Sequence, residues 1–212
     1  MYPSRKFILP KELEKCPNGD IPAHLLSNIK PYGQLYWKAA KAWNAMLDAA
    51  KAEGLEFSHV GALRTLKEQE SLFASRYTTK PSKRVPQITR TYKSKTWFLK
   101  DGMAPAGTPG TSKHGYAAAV DVAAIVNKKL VSLGSSQKHV DWLKANCEKY
   151  GWAWGVGDPK SKEFEIWHLE CFDCDSLPDS IVGGTVEQAT KVAKPSRKER
   201  KGRKGLKKGV KG

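Results

Sequence analysis

No window of the 212-residue chain approaches eighteen uninterrupted apolar residues, which excludes a membrane-spanning helix. The opening stretch, MYPSRKFILPKELEK, carries charge but no apolar run long enough for a secretory signal, so delivery to a cell surface would need another route. Cysteine is scarce. Cys16, Cys147, Cys171 and Cys174 are too few for a disulfide scaffold in a chain of this length. The pair Cys171-Phe-Asp-Cys174 lacks the second CxxC of a zinc knot, so it reads as structural or incidental thiols rather than as a redox or metal pair. Internal repeats are absent too.

What is present is enough for a core. Hydrophobic residues make up 40% of the chain and include seven Trp. The formal charge is +16, unevenly spread. Eleven of the 37 Lys/Arg and one of the 21 Asp/Glu fall between Lys191 and Gly212, so that stretch carries +10 and the remainder +6. The end of the chain is rich in Gly and nearly free of large apolar residues. It cannot bury enough surface to offset its ordering entropy. The expected organisation is one domain over residues 1–185 and a basic, disordered tail over 186–212. Such a tail suits a polyanion (wall polymer, membrane surface or nucleic acid), or serves only to solubilise.

Leu35, Ala39, Trp43, Met46, Leu47 and Ala50 recur at helical spacing, which predicts a helix over 34–53 stopped by Gly54. Phe57 to Leu63 has strand composition. Thr65-Leu-Lys-Glu68 is a capping box that starts a helix reaching about Tyr77. Residues 78–111 read mostly as loop, with a short strand around Thr96 to Leu99. Ala118 to Val126 reads as a buried strand and Ser136 to Tyr150 as a helix. Trp152–Trp154 and Phe164–Phe172 read as strands. This mixture predicts an α+β fold with one mainly antiparallel sheet flanked by helices.

Two of the five histidines keep unusual company. His114 follows a Pro/Gly-rich loop and precedes Asp121, a carboxylate inside an otherwise apolar strand. Burying that charge costs several kcal/mol unless it is paired or bound to a cation. The second segment is Glu165-Ile-Trp-His168-Leu-Glu170. On a regular strand His168 shares a face with Ile166 and Glu170, while Trp167, Leu169 and Cys171 face the core. Glu165 has the wrong parity and reaches a cation on His168 only if the chain bends just before the strand, as a turn after Asp158-Pro159 would allow. Two His and one Asp leave a tetrahedral zinc one open position, the pattern of a catalytic site. Iron or manganese could use the same set, and core histidines with a salt-bridged Asp are the competing reading.

These residues resemble a known family. Ser112-Lys-His114-Gly-Tyr-Ala117-Ala-Ala-Val-Asp121 is similar to the SxHxxGxAxD signature of VanY-type D-alanyl-D-alanine carboxypeptidases. Their relatives include vancomycin-resistance dipeptidases and phage endolysins that cut L-alanyl-D-glutamate bonds. Glu165-Ile-Trp-His168 resembles the second signature, and Gly61-Ala-Leu-Arg64-Thr-Leu-Lys-Glu-Gln69 an upstream segment. The likeness spans roughly residues 19–172. It implies a hedgehog/D-Ala-D-Ala-peptidase-like fold, with Zn2+ held by His114, Asp121 and His168. It further implies Glu165 as general base and then acid, Arg64 as the donor to the scissile carbonyl oxygen, and Ser112 and Gln69 as substrate-binding or site-supporting residues. The implied activity is hydrolysis of peptidoglycan stem peptides, either carboxypeptidase-like or as an L-alanyl-D-glutamate endopeptidase. The setting it suggests is a phage or prophage lysin, held in the host cytoplasm before release or carried on a virion, and acting at the bacterial wall. An inactive basic protein binding wall or nucleic acid is the alternative from another class. One departure stands out: the Gly of the signature is Ala117 here, a strained choice if that position needs positive φ.

Overall fold

The computed structural model describes residues 1–155, 160–161 and 164–183. The expected turn at Asp158-Pro159 and the expected basic tail, 186–212, lie outside the described residues.

A hairpin of β1 (Leu26–Asn28) and β2 (Gln34–Tyr36) leads directly into α1 (Trp37–Ala52). The helix therefore starts three residues later than its apolar periodicity suggests, because Gln34–Tyr36 pair as a strand. Its buried face carries Trp37, Ala39, Ala40, Trp43, Met46, Leu47 and Ala50, and Gly54 follows in the left-handed conformation that ends helices. β3 (Glu56–Gly61) comes next, then α2 (Leu66–Arg76). The predicted capping box forms in full: Thr65 Oγ1 accepts from the Glu68 N–H, and the Glu68 carboxylate accepts from the Thr65 N–H at 2.7 Å.

Residues 77–99 are more ordered than their composition suggests. β4 (Tyr77–Thr78), β5 (Thr89–Tyr92) and β6 (Lys95–Leu99) form a three-stranded antiparallel sheet. Phe73, Tyr77, Leu99 and Ala106 make a small core of their own beneath it. β6 falls where the short strand around Thr96 to Leu99 is expected, while β4 and β5 are too short for any alternation to mark them in sequence. Their apolar residues gather around Phe73 of α2 instead, with the Phe73 and Tyr77 rings stacked 4.5 Å apart.

The main sheet is built on β7 (Ala119–Val126). β3 pairs along one edge of it. Along the other run β8 (Lys129–Ser132), opposite its second half, and β10 (His168–Cys171), opposite its first. β9 (Trp152–Ala153) pairs beyond β10, and all pairings are antiparallel. The described residues thus hold the expected antiparallel sheet flanked by helices, with two smaller antiparallel sheets beside it. α1 and α3 (Gln137–Asn146) cover one face of the main sheet, enclosing Val120, Val122, Leu169, Trp43 and Trp152. Trp43 meets Trp152 edge to face at 5.7 Å. A last short helix, α4 (Asp179–Val182), packs on α1.

Three expectations are corrected. Phe164–Trp167 is not strand: Ile166 and Trp167 form a turn and β10 begins at His168. Alternation therefore does not extend to Trp167, which is 40% exposed rather than in the core. Cys171 and Cys174 are joined by a disulfide, because the 3-10 turn after β10 brings their Cα atoms to 5.8 Å. No helix among the described residues is long and apolar enough to cross a membrane.

Candidate metal centre

β7 turns Val120 and Val122 into the core and Asp121 to the opposite face. Asp121 is paired in register with His168 on one side and Gly61 on the other. The first pairing puts the imidazole beside the carboxylate, with His168 Nδ1 3.2 Å from Asp121 Oδ1. The second is a close approach that glycine permits, since a Cβ at Gly61 would lie 2.7 Å from Asp121 Oδ2 and displace the carboxylate. A register shift between His59 and Gly61 accompanies this close approach.

His114 arrives from a different element, the 3-10 turn Lys113–Tyr116. Its Nδ1 lies 2.7 Å from the Ala62 carbonyl, which can only accept, so that nitrogen carries the proton. Nε2 then faces Asp121 Oδ1 at 3.3 Å. The turn ends at Ala117, φ 53° and ψ 32°, the left-handed conformation for which the signature keeps glycine. Ala117 is fully buried and its N–H donates to the His114 carbonyl, so the strain sits where it orients the turn. Residues 17–19 strap this turn to α2: Asn18 donates to Ser112 O, Gly19 N–H to Gly115 O, and Leu66 N–H to Gly19 O.

The donor atoms of His114, Asp121 and His168 all lie within 4.8 Å of one another, a group that could hold a metal ion. The surroundings fit such an ion. Each imidazole turns one nitrogen to Asp121 and has its other nitrogen fixed, His114 by Ala62 and His168 by Glu170, whose Oε1 lies 3.3 Å from His168 Nε2. This is the outer-shell arrangement that orients metal-binding histidines. Glu170 is 7% exposed and is the site residue that the sequence reading did not single out, although it shares a strand face with His168.

Electrostatics tie the group together. Burial lowers the proton affinity of His168, but hydrogen bonds to Asp121 and Glu170 outweigh it and push the pKa up to about 9. Burial raises the Asp121 pKa, but hydrogen bonds from His114 and His168 more than reverse this and hold the carboxyl well below the usual range.

Arg64 follows β3. Its N–H donates to His114 O, its Nη1 to Gln69 Oε1 at 3.0 Å, and its Nη2 lies 3.7 Å from Asp121 Oδ2. Gln69 is 2% exposed and donates in turn to Gly107 O, so it sits behind Arg64 and is not among the cavity-lining residues. Glu165 is exposed in the turn before β10, where its carbonyl accepts from the His168 N–H at 2.9 Å. A cavity of about 520 Å3 brings Arg64, Ser112, His114, Asp121, Glu165 and His168 to one surface. Of the other histidines, His59 and His139 are buried in the core and His24 is exposed.

The family model of VanY, D-alanyl-D-alanine carboxypeptidase, matches residues 33–173, two thirds of the chain and every residue placed around the cation group. The chain belongs to the VanY family. Among curated proteins it is similar to YodJ of Bacillus subtilis (strain 168), designated a carboxypeptidase by inference, with 29% identity over 139 residues, 62% of this chain and 44% of YodJ. It therefore spans less than half the length of that relative. Among solved structures it shares its fold with the LdcB LD-carboxypeptidase, at TM-score 0.53 and 23% identity over 76% of this chain and 73% of that one. VanYB, solved in complex with D-alanine-D-alanine, is similar over 85% of this chain and 96% of its own, at TM-score 0.49 and 18% identity.

Proposed function

We propose that this VanY-family chain is a zinc-dependent peptidase that removes the terminal D-alanine from peptidoglycan stem peptides. The observation that carries the reading is the convergence of His114, Asp121 and His168 within 4.8 Å on the wall of a cavity that also presents Glu165 and Arg64. Two imidazoles and one carboxylate leave a four-coordinate metal an open place, and they favour zinc over the harder cations. When bound, zinc supplies a Lewis acid that brings the pKa of its water to about 7.

The chain's own groups do the rest. Glu165 takes the proton of the attacking water and returns it to the leaving amine, a role its exposed position at the cavity mouth permits. Arg64 donates to the carbonyl oxygen as it gains charge. Its guanidinium is already fixed by Gln69, so little reorganisation accompanies the reaction, and losing such a donor typically costs about 10²–10³ in turnover. Ser112, on the same wall, is placed to bind the peptide. Gln69 supports the site by holding Arg64 against Gly107.

The charge of stretch 191–212 supports action at an anionic wall, in the manner of a phage or prophage lysin, with wall polymers as a second partner. Digestion of purified peptidoglycan with and without a chelator, followed by mass analysis, tests the reading. Chelator-sensitive release of free D-alanine supports it. New amino termini within the stem peptide would assign the L-alanyl-D-glutamate endopeptidase activity instead. No chelator-sensitive release would favour a binding protein.

A further inference from the structure

The cavity carries charges that the chemistry above leaves unused. The acids that serve the metal group, Asp121 in β7, Glu165 before β10 and Glu170 in β10, lie around the two histidines, apart from the unused cations. Arg76, at the end of α2, and Arg90, in β5, line the same cavity from the small second core. Arg76 Nη1 donates to Pro105 O at 2.8 Å and to Ala104 O at 3.4 Å, and Arg90 Nη1 to Thr89 O at 2.9 Å. All three acceptors are backbone carbonyls. Neither guanidinium forms an ion pair with a carboxylate among the described residues. Each guanidinium has five N–H donors, so bonds through Nη1 alone leave Nε and Nη2 for an acceptor in the cavity. The wall around them is small and apolar, with Leu72, Ala104 and Ala106.

A cationic fork beside a small apolar surface fits a carboxylate attached to a carbon with a short side chain, and Arg binds carboxylates through paired, charge-assisted hydrogen bonds. We infer that Arg76 and Arg90 form a carboxylate subsite that reads the free end of the peptide and so restricts cleavage to the last bond. The inference rests on the hydrolase reading and deepens it: it makes the protein a carboxypeptidase because an internal bond brings no terminal anion to these arginines. The sheet β4–β6–β5 is then a specificity element. Its attachment to α2, through Tyr92 and Lys93 on Glu70, holds Arg90 in place.

The test compares three synthetic stem peptides on the zinc-loaded full chain. One ends in D-Ala-D-Ala, the second is its C-terminal amide, and the third keeps the free end but has its internal carboxylates amidated. The expected wild-type preference in kcat/KM for acid over amide is about 100-fold, with the third peptide behaving like the first. Arg90→Ala and Arg76→Ala each reduce that preference to about 10-fold or less, and Arg76→Lys restores part of it. The ratio is taken within one protein sample, so a partly unfolded variant does not distort it. An unchanged preference in both variants, or a preference that follows the internal carboxylates, overturns the assignment. Calorimetric Kd values for acid and amide on zinc-loaded Glu165→Gln, with and without Arg90→Ala, read the subsite without turnover. If the wild type cleaves no peptide in a chelator-sensitive way, the hydrolase reading fails, and the binding ratio still decides the arginines.

Discussion

Asp121 and His168 meet in the sheet as register partners, so the charge that looked misplaced in an apolar strand has its partner one strand away. That much could be anticipated from the cost of burying a lone carboxylate. Glu170 could not, because nothing in the sequence showed that the far nitrogen of His168 needed an acceptor. Glu165 is proposed as the general base rather than as a ligand or its support. Glu165→Gln is expected to lower turnover by about 10²–10⁴ while zinc stays bound, measured as peptide hydrolysis beside metal content. Loss of both would make Glu165 a structural residue. As a proposed ligand, His168 is expected to set the pH dependence of metal uptake. With its pKa at about 9 in the metal-free chain, a proton occupies the ring at neutral pH and zinc must displace it. Raising the pH removes that competitor, so apparent zinc affinity should rise about tenfold per pH unit from 6 to 8. Competition with a chromogenic chelator measures it. A flat profile would show that no proton on His168 competes with the metal over this range.

At the scale of elements, the site depends on close approaches that a single sequence only hints at. The capping box at Thr65 was legible because its spacing has one purpose, and it places Gln69 one turn into α2, where it holds Arg64. The positive φ at Ala117 was legible only as a departure from the glycine of the family signature. β6 was legible as the short strand expected around Thr96 to Leu99, whereas β4 and β5 were not, since two and four residues leave too little periodicity above the Lys, Thr and Pro around them. The bend at Ile166–Trp167 was anticipated as a need of Glu165, yet Trp167 was still assigned to the core by alternation that the bend interrupts. Gly61 offers the sharpest test of sheet geometry. Gly61→Ala puts a methyl 2.7 Å from Asp121 Oδ2, and the carboxylate must move. The expected result is a 10- to 100-fold loss of zinc affinity with an unchanged far-ultraviolet circular dichroism spectrum. Unaltered affinity would show that Asp121 is not held by this contact.

Across the whole molecule, two cores face one cavity. The larger, from α1 to β10, fixes the metal-binding side chains, and the smaller, under β4–β6–β5, supplies Arg76 and Arg90. Substrate reading and chemistry thus rest on separate packing units. The charge of +10 in residues 191–212 adds a long-range attraction that salt screens. Deleting 184–212 should weaken co-sedimentation with purified walls at low ionic strength and leave hydrolysis of a soluble peptide intact. Wall binding that survives the deletion would assign wall attachment to the folded domain. The most direct measurement is zinc stoichiometry on the purified chain, by elemental analysis after equilibrium dialysis. The wild type should hold one zinc per chain, while Asp121→Ala, still folded by circular dichroism, should hold less than about a tenth of that. Stoichiometric zinc in Asp121→Ala, or none in the wild type at neutral pH, would contradict the proposed centre.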